Sequence, residues 1–421
     1  MTVEAFDDYP EPIACAKRAA QAAFKLGSTK GVDRSRAVLA MAQTLKRSFD
    51  DILEANTLDL EASREMAVPD LILDWLKLTP KRLEMTVDIL QRLGELSDPL
   101  RRVRHTDYQL EDSQTYSQLM PLGVIAFIYE AFPELAAIAA GLCIKTGNSL
   151  ILKGSTEASH SNAAIGNALQ TAITEVGLPT GCIELITAEH GTSTRNLVTQ
   201  DQYLNLVIPY GRSSFIQQVV RQSTSPVLKS AMGNCYLYWS PNGSLDMVRW
   251  MILDSHQSEP DPVNAIEKVL IHRQTLPSSL SVLWNSLKEQ GFEIRGDAEL
   301  VEAFPQLRPV KDEEWGCAYL TKTIAFKLVD SLDAAILWIN QYSSGHADCI
   351  VTESYQESRQ FALGVNSASS YINASSRFSR QLSRGDAVFL GMSNQKGHRR
   401  GFIGLESLTT TKYIVQGNGR F

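Results

Sequence analysis

The apolar run SLILK, Ser149 to Lys153, ends in a lysine and passes directly into Gly154, Ser155, Thr156 and Glu157. A lysine at the end of a strand, beside the start of a helix, can pair with a ribose hydroxyl or a phosphate; it can equally be a solvated loop lysine. The stretch EPDPVNAIEKVLIHR, Glu259 to Arg273, places two prolines in a short acidic turn. Proline fixes the path of a loop, and loops on a rigid scaffold often present reactive groups. Here the turn presents Val263 and Asn264, and the valine side chain has no proton to give, no lone pair and no charge.

Other reactive residue types give weaker patterns. The six cysteines, Cys15, Cys143, Cys182, Cys235, Cys317 and Cys349, are scattered without a CxxC pair, which signals neither a disulfide framework nor a zinc knuckle. They read as buried thiols acting as small hydrophobes. The seven histidines include no HExxH and no paired ligand spacing, so no metal is expected. The basic run Lys396, His398, Arg399 and Arg400 reads as a solvated loop, with an anionic ligand or partner as the alternative. No GxGxxG fingerprint occurs.

These groups need a scaffold, and 421 residues suggest two or three domains. Hydrophobic residues at 44% and charged residues at 21% are ordinary for a soluble globular chain. Forty basic against forty-seven acidic residues, a formal charge of -7, argue against a nucleic-acid-binding surface spread over the protein. No apolar run is long enough to span a membrane, and the start MTVEAFDDYPEP is acidic where a targeting peptide would be basic; the expected compartment is the cytoplasm.

From Glu11 to about Leu96 the pattern is helical, with Val38, Leu39, Ala42 and Leu45 on one face and Asp33 as a possible N-cap. RRVRHTDYQLEDSQTYSQLMPLG then reads as an arm or hairpin. An alternation follows: apolar runs at 123–129, 149–153, 182–187 and 204–209, with helix-like segments at 135–143 and 161–176 and SSFIQQVVRQS after the last run. Strand and helix in turn predict a parallel sheet wound by crossovers. A second series has runs at 235–239, 268–272, 292–295, 324–329, 349–352 and 371–373, and the tail after Gly385 ends in a β-branched strand. The fold class is therefore α/β, with two doubly wound domains. Such pairs commonly place a site in a cleft at the carboxyl ends of strands.

YEAFPELAAIAAGLCIKTGNSLILKGSTEA, Tyr129 to Ala158, resembles gamma-glutamyl phosphate reductase, the glutamate-5-semialdehyde dehydrogenase of proline biosynthesis, within the aldehyde dehydrogenase superfamily. Similar stretches run collinearly along the chain: ILEANTLDLEASRE, LKLTPKRLE, SLKEQGFEIRGD, SSGHADCIVTES, YINASSRF and NQKGHRRGFIGLESLTTTKYIV. The resemblance implies a nucleotide-binding domain at 1–107 and 124–232, a catalytic domain at 233–384, and a bridging β-arm at 108–123 and 385–421 that serves oligomerisation. It also implies an acyl phosphate substrate, reduced with NADPH through attack by a cysteine thiolate, with an amide side chain and backbone N–H groups stabilising the oxyanion.

On that alignment the nucleophilic cysteine of P-G-V-C-N-A falls at Val263, and a valine cannot form a thiohemiacetal. The oxyanion asparagine of Y-E-S-R-P-N falls at Glu134, with Phe132 in place of arginine; a carboxylate facing the oxyanion would repel it. P-R-G-G has become Pro209, Tyr210, Gly211 and Arg212, and Arg212 should crowd a pyrophosphate unless its charge is reused. Tyr236 replaces a histidine, Glu259 replaces a turn arginine, and RGDAVFLG stands where a glycine-rich segment is expected. Lys153, Glu157, His346, Asn373, Gly404 and Glu406 still match. The cofactor candidates are thus Lys153, Ser155, Glu157, Tyr210 and Arg212, and the substrate candidates Asn264, His346 and Asn373, with packing and helix capping as the alternative roles. Cys235 is either a replacement nucleophile or a buried structural thiol.

The expectation is a catalytically degenerate relative with a binding, regulatory or assembly role. Its expected partners are a second copy of itself, an active reductase or glutamate kinase, and NADP(H) is its possible cofactor. The alternative is an active NADPH-dependent reductase of gamma-glutamyl phosphate or a related carbonyl substrate, working without a thiol.

Overall fold

The computed structural model describes residues 11–105, 113–187, 194–257, 261–380, 387–396 and 399–417. Five helices come first: α1 (Glu11–Gly27), α2 (Gly31–Arg47), α3 (Phe49–Glu65), α4 (Asp70–Leu76) and α5 (Pro80–Glu95). Asp33 is not the N-cap of α2. The helix begins at Gly31 with Lys30 in the cap position, and Asp33 instead lies in the first turn, 2.8 Å from Arg36. α5 starts as its sequence directs, with Thr79 accepting a bond from the Arg82 N–H and Pro80 in the first helical position.

Strands β1 (Val103–His105) and β2 (Ser113–Pro121) lead into an alternating series: β3 (Val124–Tyr129), α6 (Leu135–Lys145), β4 (Ser149–Gly154), α7 (Ser159–Glu175), β5 (Ile183–Leu185), α8 (Thr194–Val198), β6 (Leu206–Tyr210) and α9 (Ser213–Gln222). The second series is β7 (Ser230–Ala231), β8 (Cys235–Trp239), α10 (Leu245–Ser255), β9 (Ile266–His272), α11 (Pro277–Glu289), β10 (Glu293–Gly296), α12 (Ala298–Ala303), β11 (Arg308–Pro309), β12 (Thr323–Val329), α13 (Leu332–Tyr342), β13 (Ala347–Val351), α14 (Tyr355–Gly364) and β14 (Ser369–Ile372). The tail adds β15 (Phe389–Ser393), β16 (Gly401–Gly404) and β17 (Thr409–Gly417).

The chain divides into two compact units, one comprising Met1–Lys229, Arg380–Leu390 and Phe402–Phe421, the other Ser230–Ser379 and Gly391–Gly401. In the first unit, β5-β4-β3-β6 form a wholly parallel sheet. The chain moves from β3 outward through β4 to β5, then returns to place β6 on the other side of β3. The strand order therefore reverses between β3 and β6, the point where open α/β sheets leave a crevice. α6 is buried on every face, as a helix without a polar side must be. β2 pairs antiparallel with both β1 and β17, joining the two segments that the sequence suggested as an arm.

In the second unit the order β11-β10-β12-β9-β8-β13-β14 is again parallel throughout. Its central strands are buried on both faces. Leu237, Val269, Phe326 and Val351 belong to one core, and Tyr236, Tyr238, Leu270 and Ile350 to another. This is the burial expected of near-continuous apolar runs.

Candidate functional site

In the first unit the cofactor candidates converge at the carboxyl ends of β3, β4 and β6. Lys153 ends β4 half-buried and makes no ion pair among the described residues; desolvation lowers its pKa. The Ser155 hydroxyl accepts a bond from the Ala131 N–H at 3.2 Å, tying the end of β4 to the turn after β3. Gly154 is required there, because a Cβ would lie 2.0 Å from Asn162 Nδ2, and Asn162 Oδ1 in turn accepts the Tyr129 hydroxyl at 2.9 Å. Tyr210 is buried and serves packing: its ring meets Phe132 edge-on, and its hydroxyl accepts from Arg380 at 2.9 Å.

Arg212 does not project freely. Its Nε lies 3.1 and 3.0 Å from the two carboxylate oxygens of Glu130, and its own N–H donates to Glu130 Oε2 at 3.0 Å. The charge is thus reused inside the chain. Glu130, at the end of β3, was not among the residues singled out from sequence, since only the strand order brings it beside Arg212.

Glu134 lies in a different environment from the one expected of a carboxylate facing a ligand. It is buried and bonded to Arg82 of α5, whose Nε donates at 2.8 Å. The same guanidinium donates to the Trp75 carbonyl at 3.1 Å, near the end of α4. The Phe132 ring, which stands where the resemblance expects arginine, is fully buried and stacks on Trp75 with centroids 4.6 Å apart. Ala131 and Phe132 adopt φ of 54° and 49°, a strained pair of the kind that collects at ligand sites.

In the second unit Val263 is fully buried, and its carbonyl accepts from the Gly233 N–H at 3.0 Å and from His346 Nε2 at 2.8 Å. A carbonyl only accepts, so Nε2 carries the imidazole proton, and Nδ1 faces Ser344 Oγ at 2.9 Å. Cys235 Sγ lies 3.4 Å from the same Nε2. The pair has the proximity of a thiol and its base but not the protonation. Burial brings the His346 pKa down to about 4 and pushes the Cys235 thiol well above its ordinary value, so both stay neutral. With its Nε2 proton committed to the Val263 carbonyl, His346 cannot deprotonate the thiol.

Asn264 is buried, donating to the Ser376 carbonyl at 2.8 Å and to the Tyr371 hydroxyl at 3.2 Å, while its Oδ1 has no partner. Asn373 stands apart. Both ends of its amide bond the backbone of Thr352, at the opposite end of β13 from His346. The substrate candidates therefore do not form one cluster. The cluster around Val263 also lies at the amino ends of β8, β9 and β13 rather than the carboxyl ends expected, with the Gly233 and Cys235 N–H groups donating to the Val263 and Ala265 carbonyls at 3.0 and 3.3 Å. Tyr236, in place of a histidine, donates its hydroxyl to the Trp315 carbonyl at 2.7 Å and packs into the core. Glu259 and His398 lie outside the described residues.

Among the described residues no helix is long and apolar enough to cross a membrane, and no group of three or more His, Cys, Asp or Glu could hold a metal ion.

Residues 7–233 match the aldehyde dehydrogenase family, the class to which the two doubly wound sheets point. The chain is 57% identical over 404 residues to gamma-glutamyl phosphate reductase 2 of Synechocystis sp., with 96% of each chain covered. It is 40% identical to gamma-glutamyl phosphate reductase of Gloeobacter violaceus, again with 96% of each covered. A solved structure of gamma-glutamyl phosphate reductase from Thermotoga maritima is similar with a TM-score of 0.86 at 31% identity, covering 98% of this chain and 99% of that one. The chain belongs to the gamma-glutamyl phosphate reductase family.

Proposed function

We propose that this chain keeps the reductase scaffold and a nucleotide-binding surface but does not reduce gamma-glutamyl phosphate through an enzyme thioester. The observation that carries this reading is the neutral, buried surround of Val263. The nearby thiol, Cys235, is protonated, and the imidazole beside it has its only proton committed to the Val263 carbonyl. Neither Phe132 nor Glu134 supplies an amide donor for an oxyanion; one is stacked on Trp75 and the other bonded to Arg82.

NADP(H) fits the first unit in part. Lys153, without an ion-pair partner among the described residues, and Ser155 would hold ribose or phosphate oxygens, and the nicotinamide, when bound, supplies a hydride. That supports a second reading, in which hydride passes to a free carbonyl substrate without a covalent intermediate. An assembly role is supported by β17, which lies at an edge of the β1-β2-β17 sheet with Tyr413 and Val415 exposed. It would seat a second copy, an active reductase or glutamate kinase.

The test is the reverse assay with glutamate-5-semialdehyde, phosphate and NADP+. No turnover is expected from the natural chain, nor from Val263→Cys, since no group there can ionise a new thiol. Steady NADPH formation by the natural chain, or a thioester-linked glutamyl adduct on it, would overturn the proposal.

A further inference from the structure

We propose that Glu130 is an internal occupant of the phosphate position at the β3/β6 switch point, so that a nicotinamide nucleotide binds the first unit only by displacing this carboxylate from Arg212. The inference rests on the reading that this unit keeps a nucleotide surface, and it names what limits the affinity.

The geometry is that of an anion already bound. Glu130 is buried and receives the Arg212 N–H at 3.0 Å, the Nε at 3.0 and 3.1 Å, and a further guanidinium bond at 2.5 Å. These are the charge-assisted, forked contacts with which arginine and a backbone amide hold a phosphate. Arg212 is also the N-cap residue of α9, which has no side-chain cap, so the carboxylate is held at the start of that helix through the N-cap N–H. Gly211, with φ of 145°, makes the arrangement possible: a Cβ there would lie 2.7 Å from Glu130 Cβ and 3.0 Å from Oε2. The Glu130 side chain packs against the position that a side chain at 211 would need.

The charges give the same result. Lys153 and Arg212 are the cations at these strand ends, and Glu130 and Glu157 the anions; both carboxylates act on Arg212 to hold its proton more firmly. An incoming phosphate thus meets a locally neutral surface and must compete with an attached carboxylate of high effective concentration. Without the Glu130 charge the surface is cationic and Arg212 is released toward the ligand.

The experiment measures the affinity of the full-length chain for NADPH and NADP+ by calorimetry, comparing the natural chain with Glu130→Gln, Arg212→Gln and the double variant. Glu130→Gln is expected to bind about five- to tenfold more tightly, Arg212→Gln more weakly than the natural chain, and the double variant is expected to lose the gain. Arg212 is nearly half exposed, so its substitution leaves the core intact and carries the test should Glu130→Gln not fold. Affinity unchanged or weakened in folded Glu130→Gln, or tightened in Arg212→Gln, would overturn the proposal. Affinity is read independently of turnover, so this failure is distinct from failure of the inactive-scaffold reading.

Discussion

The ends of β3, β4 and β6 and the turn at Val263 both carry candidate site residues, yet in opposite physical surroundings. At the strand ends of the first unit Lys153, Glu157 and Arg212 remain partly exposed and charged. Around Val263, Cys235, His346 and Asn264 are fully buried, and the thiol and imidazole are held neutral. Charge that stays near water remains available to a ligand, whereas polar groups sealed into a core are fixed by whatever hydrogen bonds they can make. Under the proposed function the first region is a binding surface and the second is packing.

The strongest way to break that contrast is at Arg82. It is buried in the first unit, and its partner Glu134 is buried more deeply still, with one oxygen already lacking a partner. Removing one member of such a pair strands a charge without solvent, and Arg82→Ala is expected to cost about 3–5 kcal/mol. Urea denaturation checks it. A loss below about 1 kcal/mol would mean that Glu134 finds water, and that the first unit carries an accessible carboxylate where the structure seals one.

Much of the fold was legible because apolar runs and helical periods are local. The run SLILK became β4, and CYLYW, at 235–239, became β8. The site was legible only where the strand end itself carries the group, as with Lys153. Glu130 and Arg212 are 82 residues apart and meet through the reversal of strand order between β3 and β6. Arg82 and Glu134 meet through packing of α5 on α6. His346 and Asn373 both matched the family, but a strand's length separates the bonds they make, and no spacing in the sequence records that.

A smaller effect sharpens the contrast through pH. Folded His346 has a pKa of about 4 against an ordinary 6.5, so below pH 6.5 the unfolded chain takes up the proton first. Its contribution to stability is present above 6.5 and is lost as pH falls toward 4. Asp348, two residues away, is pushed by burial from 3.8 to about 7, so between those values the folded chain holds a proton that the unfolded chain has released. That slope has the opposite sign, with stability falling as pH rises. The two oppose each other between about pH 4 and 6.5. Asp348→Asn should therefore expose the histidine slope, a gain of about 3 kcal/mol as pH rises through that range, and His346→Gln should expose the aspartate slope. Denaturation midpoints across the range measure both. Parallel profiles for the two variants would show that neither group is buried as described.

The smallest expected change is a thiol titration. Five of the six cysteines are buried, and Cys317 alone is exposed, its carbonyl bonded to Lys268 at 3.1 Å. Thiolate formation needs solvent or a nearby cation, and burial suppresses it at Cys15, Cys143, Cys182, Cys235 and Cys349. An aromatic disulfide reagent should thus label one cysteine rapidly in the native chain and all six in denaturant. The informative comparison is Val263→Cys. If the turn is core, as the full burial of Val263 and the two bonds to its carbonyl require, the new thiol is as slow as Cys235 and the rapid phase still counts one. A second rapid thiol would place position 263 in contact with solvent and remove the difference between the two regions.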